Sequence, residues 1–142
     1  MSSFSRRRLI QGLAGISASS LILPSWATSK KPQKKVGVAL LGLGQYSRDL
    51  LAPGLQLTEH CELRGIVTGS PEKIPEWQKK YGIADKNVYS YETLPKIADN
   101  PDIDVVYIVT PTFLHKKFAV MAADAGKHVW CEKPMAMTAE EC

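Results

Sequence analysis

Acidic residues are missing from the first 35 positions, which carry seven basic ones: Arg6, Arg7, Arg8, Lys30, Lys31, Lys34 and Lys35. The other positions hold the remaining 11 of 18 Lys and Arg and all 14 acids, so a net charge of +4 divides into a leader of +7 and a body of −3. A mildly acidic body, with no basic face carrying interleaved aromatics, excludes nucleic acid as the expected partner. Cysteine is scarce: Cys61, Cys131 and Cys142 stand at spacings that imply no disulfide pairing. Cys61 and Cys131 fall in expected strands, where they read as small core residues. No group of His, Cys and acidic residues has metal-ligand spacing, and no metal is expected. Internal repeats are absent. So are long hydrophobic runs, since the weakly apolar stretch ending at Leu23 is too short and too rich in Gly and Ser to span a membrane.

What is present begins with that leader. Ser5-Arg6-Arg7-Arg8-Leu9-Ile10 precedes the apolar stretch, and Pro24-Ser25-Trp26-Ala27 follows it. The pattern resembles a twin-arginine export signal, and the small residues Ser25 and Ala27 suit cleavage after Ala27. A Sec signal or an uncleaved anchor is the alternative. Residues 1–27 are therefore set apart as a signal, 28–34 as a polar linker and 35–142 as the folded domain. The expected location is periplasmic or exported, with transient membrane contact through the signal only. With 142 residues, 44% hydrophobic and 23% charged, the chain has the composition of one globular domain.

Within the body, Val36-Gly37-Val38-Ala39-Leu40-Leu41 is a short, fully apolar run, the mark of a strand buried on both faces of a parallel sheet. Gly42-Leu43-Gly44-Gln45-Tyr46-Ser47 follows at once. Glycines there let bare backbone N–H groups approach a phosphate, while the next helix points the positive end of its dipole at the anion. Residues 45–56 read as that helix, with Leu50, Leu51 and Leu55 on one face and Pro53 kinking it or ending it early. Further strands are expected at 61–68, 88–89, 104–110 and 128–131, and further helices at 71–81, 91–98 and 113–125. Gly82 and Gly126 stand just past two helix ends. This alternation predicts an α/β fold, a doubly wound parallel sheet of the Rossmann dinucleotide-binding type, with ligands at the carboxyl edge of the strands. Thr138 and Glu141 have capping-box spacing, so a last helix is announced one residue before the chain stops. The sequence thus reads as an incomplete chain.

Three runs come in a telling order: Gly42 to Ser47, then Tyr107-Ile108-Val109-Thr110-Pro111-Thr112-Phe113-Leu114-His115, then Ala125-Gly126-Lys127-His128-Val129-Trp130-Cys131-Glu132-Lys133-Pro134. Over residues 36–142 they resemble the glucose–fructose oxidoreductase / inositol dehydrogenase (Gfo/Idh/MocA) family, nearest its glucose–fructose oxidoreductase branch. The resemblance implies a nicotinamide cofactor, a sugar or polyol substrate, and a second, sugar-holding domain that supports homo-oligomers and is absent from this chain. It also implies a catalytic Lys133 beside the nicotinamide, with Glu132 orienting it or touching ribose. Cofactor contacts are expected from Gly42, Gly44, Gln45, Tyr46, Thr110, Pro111, His115, Glu132 and Lys133. The family's usual Asn after the proline is Thr112 here. His115 could equally be structural, and Tyr107 and Trp130 read as core.

The choice of nucleotide follows from the residues themselves. Sites that select NAD place an acid after the second strand to accept from the ribose 2′-hydroxyl. Here that position is Thr68-Gly69-Ser70, with Lys73 three residues on. Hydroxyls and an ammonium suit a 2′-phosphate, so NADP is expected ahead of NAD. The expected activity is an NADP-dependent sugar oxidoreductase holding its cofactor tightly. The rivals are an NAD-dependent glycoside hydrolase of the same superfamily and a non-catalytic nucleotide-binding fragment.

Overall fold

The computed structural model describes residues 34–142. The expected signal, 1–27, and all of the expected linker except Lys34 lie outside the described residues. Five strands form one parallel sheet: β1 (Val36–Leu41), β2 (Cys61–Val67), β3 (Val88–Tyr89), β4 (Val105–Ile108) and β5 (His128–Cys131). Their spatial order is β3-β2-β1-β4-β5. This is the doubly wound arrangement that strand–helix alternation demands, because right-handed crossovers from a central strand fill both faces.

β1 is central and buried on both sides, so its side chains alternate between two cores. Ala39 and Leu41 join one cluster with Val67, Ile108 and Phe118, while Leu40 packs on the other with Ile66, Ala52 and Trp77. Helix α1 (Ala52–Gln56) and helix α2 (Ile74–Tyr81) supply Ala52 and Trp77, and helix α3 (His115–Asp124) supplies Phe118 on the opposite face. The register decides what the sheet can present. Leu41 pairs with Val67 and Ile108, Ile108 with Cys131, and Val67 with Tyr89. The residues that follow these partners therefore emerge along one edge.

Several local expectations are corrected. Pro53 does not end its helix. A five-residue π turn, Ser47–Leu51, carries the chain into α1, with the proline in its first turn. Proline cannot donate to a carbonyl four residues back, and widening the preceding turn by one residue accommodates that loss. The wider turn also shifts the phase: Leu51 and Leu55 stay against the core, whereas Leu50 is turned out. The helix expected over 91–98 is a 3-10 helix, Leu94–Asp99. Asn100, before Pro101, is held extended at ψ 108° and stops the helix there, with its N–H bonded to the Ile97 carbonyl three residues back.

The expected strand over 104–110 is the shorter β4. At the far end Thr138 makes no side-chain cap; the Glu141 carboxylate accepts from the Met137 N–H instead, and Ala139–Glu141 is a single 3-10 turn. Trp130 is not core, being 40% exposed, and Cys131 is only half-buried. Both sit on β5, the sheet edge among the described residues; Cys131 still packs against the cluster around Phe118, as a small core residue would, while Trp130 takes the other face. Cys61, at the first position of β2, is half-buried as well.

Candidate functional site at the carboxyl edge of the sheet

The glycine turn leaves β1 at Gly42, whose φ of +101° is the left-handed region that favours glycine. A side-chain carbon there would lie 2.9 Å from the Val109 carbonyl oxygen and 3.1 Å from Thr110 Cγ2. Gly42 thus lets β1 and the β4 exit approach closely. Gly44 differs, because a carbon added to it would meet nothing within 4 Å. Its bare backbone faces open space, as a turn approached by a phosphate must. Ser47, in the place of a third glycine, is fully buried and donates its hydroxyl to the Gly42 carbonyl at 2.6 Å. A small side chain there keeps helix and strand close and also locks the turn. Gln45 and Tyr46 open the helix and are exposed.

Beside this turn lies the end of β2. Thr68 is buried, and its hydroxyl oxygen accepts from the Ser70 N–H at 3.0 Å, shaping the turn from within. Gly69 is required by Tyr91, whose ring would lie 2.7 Å from an added carbon. Ser70 is half-buried. Lys73, from the 3-10 turn Pro71–Lys73 that leads into α2, donates its ammonium to the Leu43 carbonyl at 3.1 Å. The lysine expected to meet a 2′-phosphate is thereby fastened to the glycine turn. An ammonium has three donors, so others remain for an anion.

On the other side, the exits of β4 and β5 form an open cleft of about 360 Å³ lined by Tyr46, Val109, Thr110, Pro111, Thr112, His115, Glu132 and Lys133. Six of these eight were expected from sequence; Val109 and Thr112 were not among the expected contacts. Gly42, Gly44, Gln45, Thr68, Gly69, Ser70 and Lys73 line no part of this cleft and form a second group along the same edge. Lys133 is exposed and, among the described residues, makes no ion pair. Its backbone is held from behind. His115, 1% exposed, places Nε2 2.7 Å from the Thr110 carbonyl and Nδ1 2.9 Å from the Pro134 carbonyl. Carbonyls only accept, so a neutral ring satisfies one of them and a protonated ring both.

Sequence reasoning also missed Tyr107. It packs against the Leu40–Trp77 core as expected, yet it is half-buried and donates its hydroxyl to Glu132 Oε1 at 2.5 Å, with its ring edge-on to Trp130 at 5.7 Å. Burial, and then the Glu132 carboxylate, push its phenol well above the ordinary range. Burial raises the neighbouring Cys131 thiol too, with Glu132 adding to the effect. The only available signal was the even offset along β4, where Tyr107 shares a face with Val105 and Val109.

The edge also fits a nucleotide on its own evidence. Thr110 Oγ1 is buried with no hydrogen-bond partner among the described residues, and its residue lines the cleft. A buried hydroxyl left unpaired needs a partner that the protein does not supply. A parallel sheet of this order, with a glycine turn after its central strand and an unpaired hydroxyl in the next crevice, defines a dinucleotide-binding domain of the doubly wound class.

The chain belongs to the Gfo/Idh/MocA oxidoreductase family, whose model, an oxidoreductase family with an NAD-binding Rossmann fold, matches residues 36–142. An aldose-aldose oxidoreductase from Caulobacter crescentus, solved with glycerol, superposes with a TM-score of 0.75 at 49% identity, over 77% of this chain and 32% of that one. The 1-carboxy-3-chloro-3,4-dihydroxycyclohexa-1,5-diene dehydrogenase of Comamonas testosteroni is 51% identical over 105 residues, 74% of this chain and 25% of its own length. A scyllo-inositol dehydrogenase from Lactobacillus casei, solved with NAD(H) and scyllo-inositol, is 26% identical with a TM-score of 0.64, over 76% and 31% of the two chains. The chain thus spans a quarter to a third of the length of these relatives.

Proposed function

We propose that this chain is the nucleotide-binding part of an exported, NADP-dependent oxidoreductase acting on a CH–OH group of a sugar or polyol, homo-oligomeric when whole. The observation that carries the reading is the shared edge: the open turn at Gly44, the ammonium of Lys73 and the ammonium of Lys133, unpaired among the described residues, stand along the same strand ends. The sugar-oxidising names among the relatives support the substrate class. An absent acid after β2, with Lys73 nearby, supports NADP, and the Ser5 to Ile10 pattern supports export. Little free nucleotide is expected outside the cytoplasm, so the cofactor would be held tightly and reoxidised in place.

A bound nicotinamide supplies the hydride acceptor or donor. The turn around Gly44 offers backbone N–H groups to a phosphate, the Gly42 N–H being taken by the Val67 carbonyl, and Thr110 Oγ1 offers a hydrogen bond inside the cleft. The Lys133 ammonium would lower the cost of alkoxide charge on the reacting hydroxyl and so favour loss of its proton to water as the hydride leaves. Calorimetric titration of the chain with NADPH and NADH tests the reading. NADPH is expected to bind at least about tenfold more tightly, and Lys73→Ala to remove most of that preference. Thr68→Asp retains an acceptor for the Ser70 N–H and is expected to move preference toward NADH. Equal affinities in every variant would sink the NADP assignment. Lys133→Ala should cost turnover far more than nucleotide affinity, by at least about 100-fold in a chain long enough to hold sugar.

A further inference from the structure

The cleft contains two opposite charges on adjacent residues, Glu132 and Lys133, yet they do not pair among the described residues. Glu132 follows β5, which among the described residues has a neighbouring strand on one side only. Its backbone N–H is taken by the Ile108 carbonyl, and its side chain by Tyr107. The phenol holds the carboxylate on the β4 side of the cleft. It comes from the middle of β4, stiffened by packing against the Leu40–Trp77 core and by its edge-on contact with Trp130.

We infer that Tyr107 is a positioning residue that holds the Glu132 carboxylate against the cleft wall, keeps it apart from Lys133, and makes it a fixed negative charge that favours the cationic ring of an oxidised nicotinamide over the neutral reduced ring. This rests on the nucleotide-binding reading above and deepens it. The phenol is raised first by burial and then by the hydrogen bond to Glu132, so it stays a donor to the carboxylate. A carboxylate held within several ångströms of a unit charge in a partly wet cleft shifts a binding ratio by roughly three- to tenfold.

The test measures dissociation constants of the whole chain for NADP⁺ and NADPH, in the wild type, Tyr107→Phe, Glu132→Gln and the double variant. Phenylalanine keeps the ring and its contact with Trp130, and thermal unfolding checks that each variant folds. Tyr107→Phe is expected to weaken NADP⁺ more than NADPH, by roughly three- to tenfold in their ratio. Glu132→Gln should change the ratio in the same direction, and the double variant no further than Glu132→Gln alone. A Tyr107→Phe protein that loses both affinities equally, or neither, overturns the inference while leaving the nucleotide site standing. If Tyr107→Phe does not fold, an unchanged ratio in Glu132→Gln overturns it as well. A wild type that binds neither form overturns the underlying reading, and the inference with it.

Discussion

Nδ1 of His115 lies 2.9 Å from the carbonyl oxygen of Pro134, across 19 residues of chain. Through this contact the first turn of α3 holds the segment that carries Lys133. The same ring reaches the Thr110 carbonyl at the β4 exit, so one buried side chain sets the distance between two walls of the cleft.

Replacing His115 with Ala removes the ring that bridges the two carbonyls, leaves at least one of them without its donor, and opens a cavity at a fully buried position. A loss of about 2–4 kcal/mol is expected in denaturant unfolding. Gln, with one amide donor group, should recover part of that loss. Unfolding within about 0.5 kcal/mol of wild type for His115→Ala would show that the ring is not holding the segment.

Gly44 offers a separation that Gly42 cannot. An added methyl at Gly44 touches nothing in the protein, so Gly44→Ala should leave the melting temperature within a degree or two while weakening nucleotide binding about tenfold or more. At Gly42 the positive φ and the Val109 carbonyl predict loss of stability as well. Undiminished affinity in Gly44→Ala would place the phosphates elsewhere.

Asp104 governs the acid side of stability. Its carboxylate accepts from the Gly37 N–H at 2.8 Å and from the Lys34 ammonium at 3.2 Å, and the Gly37 bond is the larger cause holding it below the usual value of 3.8. A carboxyl depressed in the folded state adds stability that is fully present above its unfolded value and is lost as pH falls below that value and through the lower folded one. Asp104→Asn should therefore melt lower than wild type at pH 7, with the gap closing below about pH 4. A gap independent of pH would rule out the charge as its source.

For the leader, changing Arg6 and Arg7 together to Lys is expected to retain the protein in the cytoplasm, as read by cell fractionation, because the twin-arginine signal is an address read by a receptor. Unaltered export would favour the Sec alternative.

The fold was largely legible from the chain. Apolar runs at Val36–Leu41 and Val105–Ile108 could only be strands covered on both faces, and Gly82 and Gly126 sit at positive φ where the helices stop. The spacing of strands and helices then permits few topologies. Less legible were the turns with unusual hydrogen bonding. Pro53 signals a disturbance but not its form, since a kink, an end and a π turn all answer a missing N–H. Trp130 was misread because periodicity shows which face a side chain takes, not whether anything covers it.

The sequence alone determined the sheet, its ligand-binding edge and most of the residues that gather there, because buried-strand patterning, glycine turns and the Glu132-Lys133-Pro134 run are local signals. Tertiary structure alone decided how those residues are held. Lys73 fastens to Leu43 across 30 positions, Tyr107 to Glu132 across 25, and His115 to both Thr110 and Pro134. Such contacts depend on strand register and on which side chain is left without a closer partner, and neither is written at any one position. That is why Tyr107, unremarkable within β4, is the residue that keeps the two charges of the cleft apart.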